Sequence, residues 1–444
     1  MSIFRAYDIR GTYPGQVNEK LAEKIGKAFG TKFPGKVVVG MDARNSGPAL
    51  KEAVIKGLLS TGANVIDIGM VPTPLLCFAV VHYGADGGIQ VSASHNPSNY
   101  NGFKFYIKGG IGIGYDDGIN EIEKMAKGES FAVGEGKVEK RDAAPDYIKH
   151  TVEKTSINRP LKVVIDAGNG SGGILGPEAM RKAGCEVIEL FCEPDGNFPN
   201  HEADPLKKGT LKDMQAKVRE TGADLGVAYD GDGDRLGIVD ENGECIDTNK
   251  IFVLLLREAL KKAPGSKILY EVITSRIVED EIKKNGGIPV LERVGHTFIH
   301  RRMHSDGCVF GGETSAHYFY KDNYNYDDAI FAGLKVAEIA TKGKLSELVK
   351  TVPEYFTSNQ YRPHCADDRK FELVQELGKR LKDRFKIIDI DGVKAVFDDG
   401  WFIVRASNTA PQLVIRWEAT TKEAFERIEK TVREELGALG VKLD

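Results

Sequence analysis

Three successive α/β units followed by a smaller α+β unit is the architecture this sequence predicts, and three observations carry it. Short apolar runs alternate with amphipathic stretches, as in KVVVGMD, PALKEAVIKGLLSTG and NVIDIG, the pattern of βαβ units and parallel sheets. The rhythm restarts near residue 160 with LKVVIDAGNG and again near 267 with KILYEV, SRIVEDEIKKNGG and IPVLERV. From about 353 the texture changes: a helix-like FELVQELGKRLKDRF, hairpin-like GVKAVFDDGWFIVRAS and PQLVIRWEA, then an amphipathic FERIEKTVREELG. At 444 residues the chain exceeds a single core, so units of 1–145, 146–247, 248–352 and 353–444 are expected, with no low-complexity linker between them.

Composition narrows the function classes. Charged residues make up 28% with both signs mixed, and the net charge of −4 provides no basic field for a nucleic acid or an anionic membrane. The six cysteines, at 77, 185, 192, 245, 308 and 365, form no C-x-x-C pair, which argues against a disulfide framework and a zinc site. MSIFRAYDIRG carries charges where a signal peptide needs an apolar run, and no stretch reaches the roughly 18 apolar residues of a membrane span. A soluble protein of the reducing cytoplasm is expected. Nothing in the sequence fixes an oligomeric state.

Seven stretches carry chemistry. FRAYDIRG places Arg5, Tyr7 and Arg10 close together, where Arg10 can reach a phosphate or make a surface salt bridge. In VSASHNPSNYNGFKFY the candidate nucleophiles are Ser92, Ser94 and His95, with Lys104 as acid or base. A serine hydroxyl needs help to attack, but its phosphoester persists until an acceptor arrives. A phosphohistidine at His95 and a plain Asn-Pro turn are rival readings, and spacing does not choose among the three. DAGNGSGG fits G-x-G-x-x-G through Gly168, Gly170 and Gly173, with Glu189 about 20 residues on, the layout of a dinucleotide site. Its mid-chain position and the lack of groups placed for hydride transfer favour a tight strand-to-helix turn.

VAYDGDGDRLGIVD is the sharpest local signal. In an extended segment residues two apart point the same way, so Asp230, Asp232 and Asp234 can converge on one hard cation. An EF-hand, with Glu241 at its last position, fails because Arg235 stands where that loop requires glycine. RVGHTFIHRRMH spaces His296, His300 and His304 by four, but with no fourth ligand and no H-E-x-x-H pattern zinc is disfavoured. GGETSAH sets Glu313 and Ser315 two apart, able to grip adjacent sugar hydroxyls, or forms a polar turn before a helix. RASNTAPQLVIRWE gathers Arg405, Ser407, Asn408, Thr409 and Arg416, donors for a metal-free phosphate cradle or a simple hairpin turn.

SASHNP with NGFK, DGDGDR, GGETSAH and RASNTAP occur in that order across nearly the whole chain, which thereby resembles the α-D-phosphohexomutase superfamily. FRAYDIRG, the ETS loop and SNT resemble its phosphomannomutase/phosphoglucomutase branch more than the phosphoglucosamine mutases, which open with GT-x-G-x-RG. The resemblance implies mixed sheets in the first three domains and a central cleft shared by all four. It implies interconversion of hexose 1-phosphate and hexose 6-phosphate through a phosphoserine and a bisphosphorylated sugar.

Residue by residue, Ser94 matches the phosphoserine and, through its phosphate, joins Asp230, Asp232 and Asp234 around one Mg²⁺ per chain. His95 and Lys104 match proton-handling and phosphate-orienting groups, and Arg235 a contact to the moving phosphoryl. Tyr7, Arg10, His296, Glu313, Ser315, His317, Arg405, Ser407, Asn408 and Thr409 match substrate contacts. Small-molecule sugar phosphates are the implied partners, with hexose 1,6-bisphosphate as activator. Within the family, phosphoglucosamine or phosphopentose isomerisation is the alternative; outside it, a metal-dependent sugar phosphatase. One departure stands out: where some bifunctional members carry Lys in the third domain, EVITSR places Ile273, which bears on sugar preference.

Overall fold

The computed structural model describes residues 3–407 and 410–443 and contains four sheets. The first runs in the order Ile9–Thr12, Tyr100–Ile107, Gly87–Val91, Lys36–Met41, Asn64–Met70, Val138–Lys140. The pairs from Gly87–Val91 through Val138–Lys140 are parallel, and the two strands on the other side pair antiparallel. Val37 and Val39 point into one core and Val38 into another, so this sheet is buried on both faces, and KVVVG therefore reads as a continuous apolar run.

The second sheet is Leu236–Val239, Leu225–Tyr229, Lys162–Asp166, Glu186–Leu190; the third is Ile288–Glu292, Lys267–Glu271, Phe310–Gly312, Tyr318–Tyr320. Each is parallel except for one antiparallel edge strand, so all three are mixed. The fourth is wholly antiparallel, Phe356–Thr357, Leu413–Ala419, Gly400–Ala406, Val393–Phe397, Lys386–Ile388, and is packed by helices Lys370–Leu381 and Lys422–Ala438.

The cores divide unevenly. One continuous apolar cluster joins Val38 and Leu76 of the first unit, Ile165 and Val227 of the second, and Phe252 and Ile330 of the third. The fourth unit keeps its own cluster around Leu377, Phe402, Trp417 and Ile428, and meets the third through a small patch of Val272, Ile273, Trp401 and Ile403. Among the described residues no helix is long and apolar enough to cross a membrane.

Candidate active site

Ligand sites in open α/β sheets form beyond the carboxyl ends of the strands, and the motif residues gather there. The turn after Gly87–Val91 holds Ser94 in a left-handed conformation, φ 50°, with the side chain buried. Its hydroxyl donates to Asp230 Oδ2 at 2.6 Å and lies 3.1 Å from His95 Nδ1. Arg44 builds this turn. Its guanidinium is fully enclosed and donates to the carbonyls of Ser94 (2.7 Å), Asn96 (2.5 Å), Pro97 (2.6 Å) and Tyr100 (2.8 Å), while Nε faces Asp42 at 3.2 Å. Arg10 pins the same turn through Ala93 O and Asn96 Oδ1 and pairs with Asp8 at 2.7 Å, so it is a cleft residue and not a surface salt bridge.

The aspartates converge by a different geometry from the extended one expected. DGDGDR is the loop of a hairpin in which Tyr229 pairs with Leu236, and it curls back through Gly233 at φ 76°. Asp230 Oδ1 accepts the N–H groups of Asp234 and Arg235 inside the curl. The three carboxylates come within 4.8 Å of one another, all buried. Lys104, on the strand antiparallel to the Ser94 approach, reaches Asp232 at 2.6 Å and Asp234 at 2.5 Å. Burial opposes its charge, yet those two carboxylates hold it above the ordinary lysine range. Burial and the neighbouring aspartates push Asp230 up, and Asp232 Oδ1 and Asp234 Oδ1 are buried without a hydrogen-bond partner among the described residues. A buried cluster of hard oxygens with two acceptors unused fits a divalent cation.

DAGNGSGG supports this loop instead of holding a dinucleotide. Ser171 donates to Gly231 O from both its N–H (3.0 Å) and its hydroxyl (3.2 Å), and a Cβ on Gly170 would lie 2.7 Å from that same oxygen. The space a pyrophosphate would need is filled by the aspartate loop itself.

GGETSAH is a hairpin tip, closed by Gly312 opposite Tyr318, and leads to a strand instead of a helix. Glu313 Oε1 accepts the Gly295 N–H at 2.9 Å, and Ser315 Oγ lies 2.9 Å from His317 Nδ1. His317 bridges the tip to the metal loop, 3.1 Å from Glu313 and 3.3 Å from Asp234, with Asp327 at 3.8 Å. Burial opposes its charge, but Asp234 and Glu313 raise it to about 10. Burial likewise opposes ionisation of Glu313, which His317 nonetheless holds below its ordinary range. The three histidines of RVGHTFIHRRMH do not converge. His296 faces the cleft, where burial lowers it to about 4, His300 accepts from Gly112 N–H, and His304 meets Asn325. Tyr7 packs on His296 and gives its hydroxyl to Val294 O at 2.8 Å, tying the first unit to the third.

From the fourth unit Arg405 and Ser407 line the cleft, with Arg405 paired to Asp391 at 2.6 Å. Asn408 and Thr409 lie outside the described residues, and Arg416 turns toward Ile273 O and does not line the cleft. The cleft has a volume of about 1000 Å³ and takes residues from all four units. His95 stands in it beside Arg235, whose charge, together with burial, keeps the imidazole well below its usual range.

Sequence reasoning missed Asp42, Arg44, Thr73 and Glu271. Thr73 donates to Asp232 Oδ2 at 2.6 Å, and Ser92, one of the three candidate nucleophiles, instead donates to Asp42 and Asp232 at 2.8 and 3.0 Å. Their signal was positional: MDAR and VPT directly follow buried strands, at the ends where sites form.

Comparison with known proteins agrees with this geometry. Residues 1–133, 145–243 and 247–356 match domains I, II and III described as phosphoglucomutase/phosphomannomutase, alpha/beta/alpha, and 364–435 match the C-terminal domain. A phosphomannomutase/phosphoglucomutase of Pseudomonas putida is 38% identical over 443 residues, covering 98% of this chain and 95% of its own. A protein of Pyrococcus furiosus named probable phosphoglucosamine mutase is 38% identical over 431 residues, covering 94% of each. The crystal structure of a phosphoglucomutase/phosphomannomutase family protein from Burkholderia thailandensis superposes with a TM-score of 0.93 at 36% identity, covering 100% of this chain and 98% of its own. The chain, an enzyme in four parts around one cleft, belongs to the phosphoglucomutase/phosphomannomutase family.

Proposed function

We propose that this chain interconverts hexose 1-phosphate and hexose 6-phosphate, of mannose and/or glucose, through phospho-Ser94 and a bisphosphorylated sugar. One observation carries the reading. Two arginines of the same cleft, Arg235 on the aspartate loop and Arg405 on the fourth unit, each keep a buried Nε–H without a partner among the described residues. Enclosed guanidinium donors of this kind suit a phosphate, and a mutase needs two such places because its intermediate carries two phosphates.

In this reading the bond from Ser94 Oγ to phosphorus breaks as the free sugar hydroxyl takes the phosphoryl group. The sugar then turns end for end and returns its other phosphate to Ser94. Arg235 holds the moving group and Arg405 and Ser407, with Asn408 and Thr409, the resting one. Glu313 and Ser315 read the sugar hydroxyls, with Tyr7, Arg10, His296 and His317 around them. Lys104, locked between two carboxylates, supplies charge and not protons, whereas His95 is kept in its proton-accepting form. A Mg²⁺ ion held by Asp230, Asp232, Asp234 and the Ser94 phosphate would neutralise charge on the moving phosphoryl group. Hexose 1,6-bisphosphate would prime dephospho-Ser94. Water must be kept out, since it would turn the mutase into a phosphatase. Domain boundaries at 145, 247 and 352 are part of this reading, as is a cytoplasmic location, which the six unpaired cysteines favour.

Intact mass spectrometry tests the nucleophile: wild-type protein carries a population one phosphate heavier, which Ser94→Ala removes. Phosphate mapped to His95 would overturn the assignment. A coupled assay from glucose 1-phosphate and mannose 1-phosphate, with a trace of bisphosphate, should form the 6-phosphates. Steady release of inorganic phosphate without isomer would mark a phosphatase.

A further inference from the structure

The mutase reading leaves one exposed cation of the cleft without a task. Arg362 lies in the segment 358–365, which continues the edge strand Phe356–Thr357 antiparallel to Leu413–Ala419. Tyr361 exchanges backbone hydrogen bonds with Ile415 at 2.9 and 3.0 Å, and His364 faces Gln412. Side chains alternate along such a segment. Tyr361 turns into the fourth unit's core, its ring 5.1 Å from that of Trp417, so Gln360 and Arg362 turn to the other face, where both line the cleft. The register sets Arg362 opposite Val414, and Val414 is opposite Arg405 on the next strand. Arg362, Val414 and Arg405 therefore form one row across the sheet, and all three line the cleft.

The row is short of negative charge. Arg405 pairs with Asp391 at 2.6 Å, whereas Arg362 meets no carboxylate among the described residues and donates to the neutral amide oxygen of Gln360 at 2.7 Å. Desolvation in the cleft and the like charge of Arg405 both lower the Arg362 pKa. Neighbouring strands lie about 4.8 Å apart, so the two arginine stems stand about 10 Å apart, a span that their side chains can close on a single phosphate. Two guanidinium groups on either side of one apolar residue repel each other unless an anion lies between them. We propose that Arg362 is a further substrate-binding residue, which grips with Arg405, across Val414, the phosphate that is not being transferred. The inference rests on the mutase reading and adds to it a residue outside RASNTAP. The resting phosphate keeps the same charge in the ground state and the transition state, so Arg362 contributes equally to both. Its loss therefore falls on KM and not on kcat.

The test measures KM and kcat from glucose 1-phosphate with a trace of bisphosphate. It also measures calorimetric binding of glucose 6-phosphate to the full chain carrying Ser94→Ala, in which nothing turns over. Arg362→Gln is expected to raise KM and the dissociation constant about tenfold each, with kcat within about twofold of the parent. Arg362→Lys recovers part of the loss, because it keeps the charge but not the planar fork. Arg433→Gln, which removes an exposed arginine of the helix Lys422–Ala438 outside the cleft, controls for net charge and should match the parent. An unchanged KM and dissociation constant in Arg362→Gln would overturn the proposal, as would a lowered melting temperature with binding intact, the mark of a purely structural role. A full chain that neither binds nor isomerises any hexose phosphate would instead overturn the mutase reading beneath it.

Discussion

At the Ser94 side of the cleft, the turn, the aspartate loop and Lys104 belong to units that share one continuous core, and they are cross-linked by buried ionic hydrogen bonds. At the Arg405 side, the residues proposed to hold a phosphate stand on a unit with a separate core that meets the rest through a small apolar patch, four buried side chains flanked by Leu291, Val294 and Ile388, and a few polar contacts. The contrast matches the work of each side. Phosphoryl transfer rewards geometry fixed in advance, because reorganising charged groups during the reaction raises the barrier. Reorienting a bisphosphate requires a wall that can yield, and a small interface between separate cores is the cheaper place to yield.

The comparison breaks first at the aspartate loop. Asp232→Asn keeps shape and removes one charge from the set facing Lys104 and the cation, and is expected to lower kcat by about 10³-fold. Circular dichroism and melting temperature should stay near wild type. Turnover within a few-fold of wild type would show that the carboxylate cluster is not used in transfer. Next comes Arg44→Lys, a change at a side chain that lines no part of the cleft. Lysine keeps the charge beside Asp42 but cannot reach four carbonyls at once, so the Ser94 turn loosens. We expect kcat to fall by about 10²-fold with KM little changed, and the mass-detected phosphate on Ser94 to hydrolyse faster. A KM effect alone would show that the turn is held by something other than Arg44.

Much of this was legible in the sequence, for reasons that differ by region. The strands of the first three units were readable because burial on both faces makes them apolar throughout, as in KVVVG and KILYE. The order of SASHNP, DGDGDR, GGETSAH and RASNTAP located four of the segments that form the cleft, but nothing in the sequence marked Asp204, Leu206 and Lys207 or Gln360 and Arg362, which also line it. Arg44 and Thr73 were invisible because their work is done by contacts across 50 to 159 positions, with backbone carbonyls and carboxylates that no local pattern records. The DGDGD loop was expected to be extended and is curled, since period-two alternation is the same whether a segment is extended or curled by its glycines.

The smallest expected effect lies at the yielding interface. Lys394 of the fourth unit donates to Val272 O at 2.7 Å and sits 4.1 Å from the Trp401 ring, where burial lowers its pKa to about 8. An unfolded lysine titrates near about 10.4. Between those values the unfolded state binds more protons, so docked-state stability rises with pH across that window. The cost of burying the charge is present in full below about pH 8 and gone above about pH 10. Both tryptophans of the chain, Trp401 and Trp417, lie in the fourth unit, so urea unfolding followed by tryptophan fluorescence reports on it directly. Wild type should gain on the order of 1–3 kcal/mol from pH 8 to 10 relative to Lys394→Met, whose burial carries no charge. Parallel pH profiles for the two proteins would mean that Lys394 keeps the pKa of an unfolded lysine, solvated in a breathing interface. That outcome would make the yielding side looser still than its small apolar patch implies.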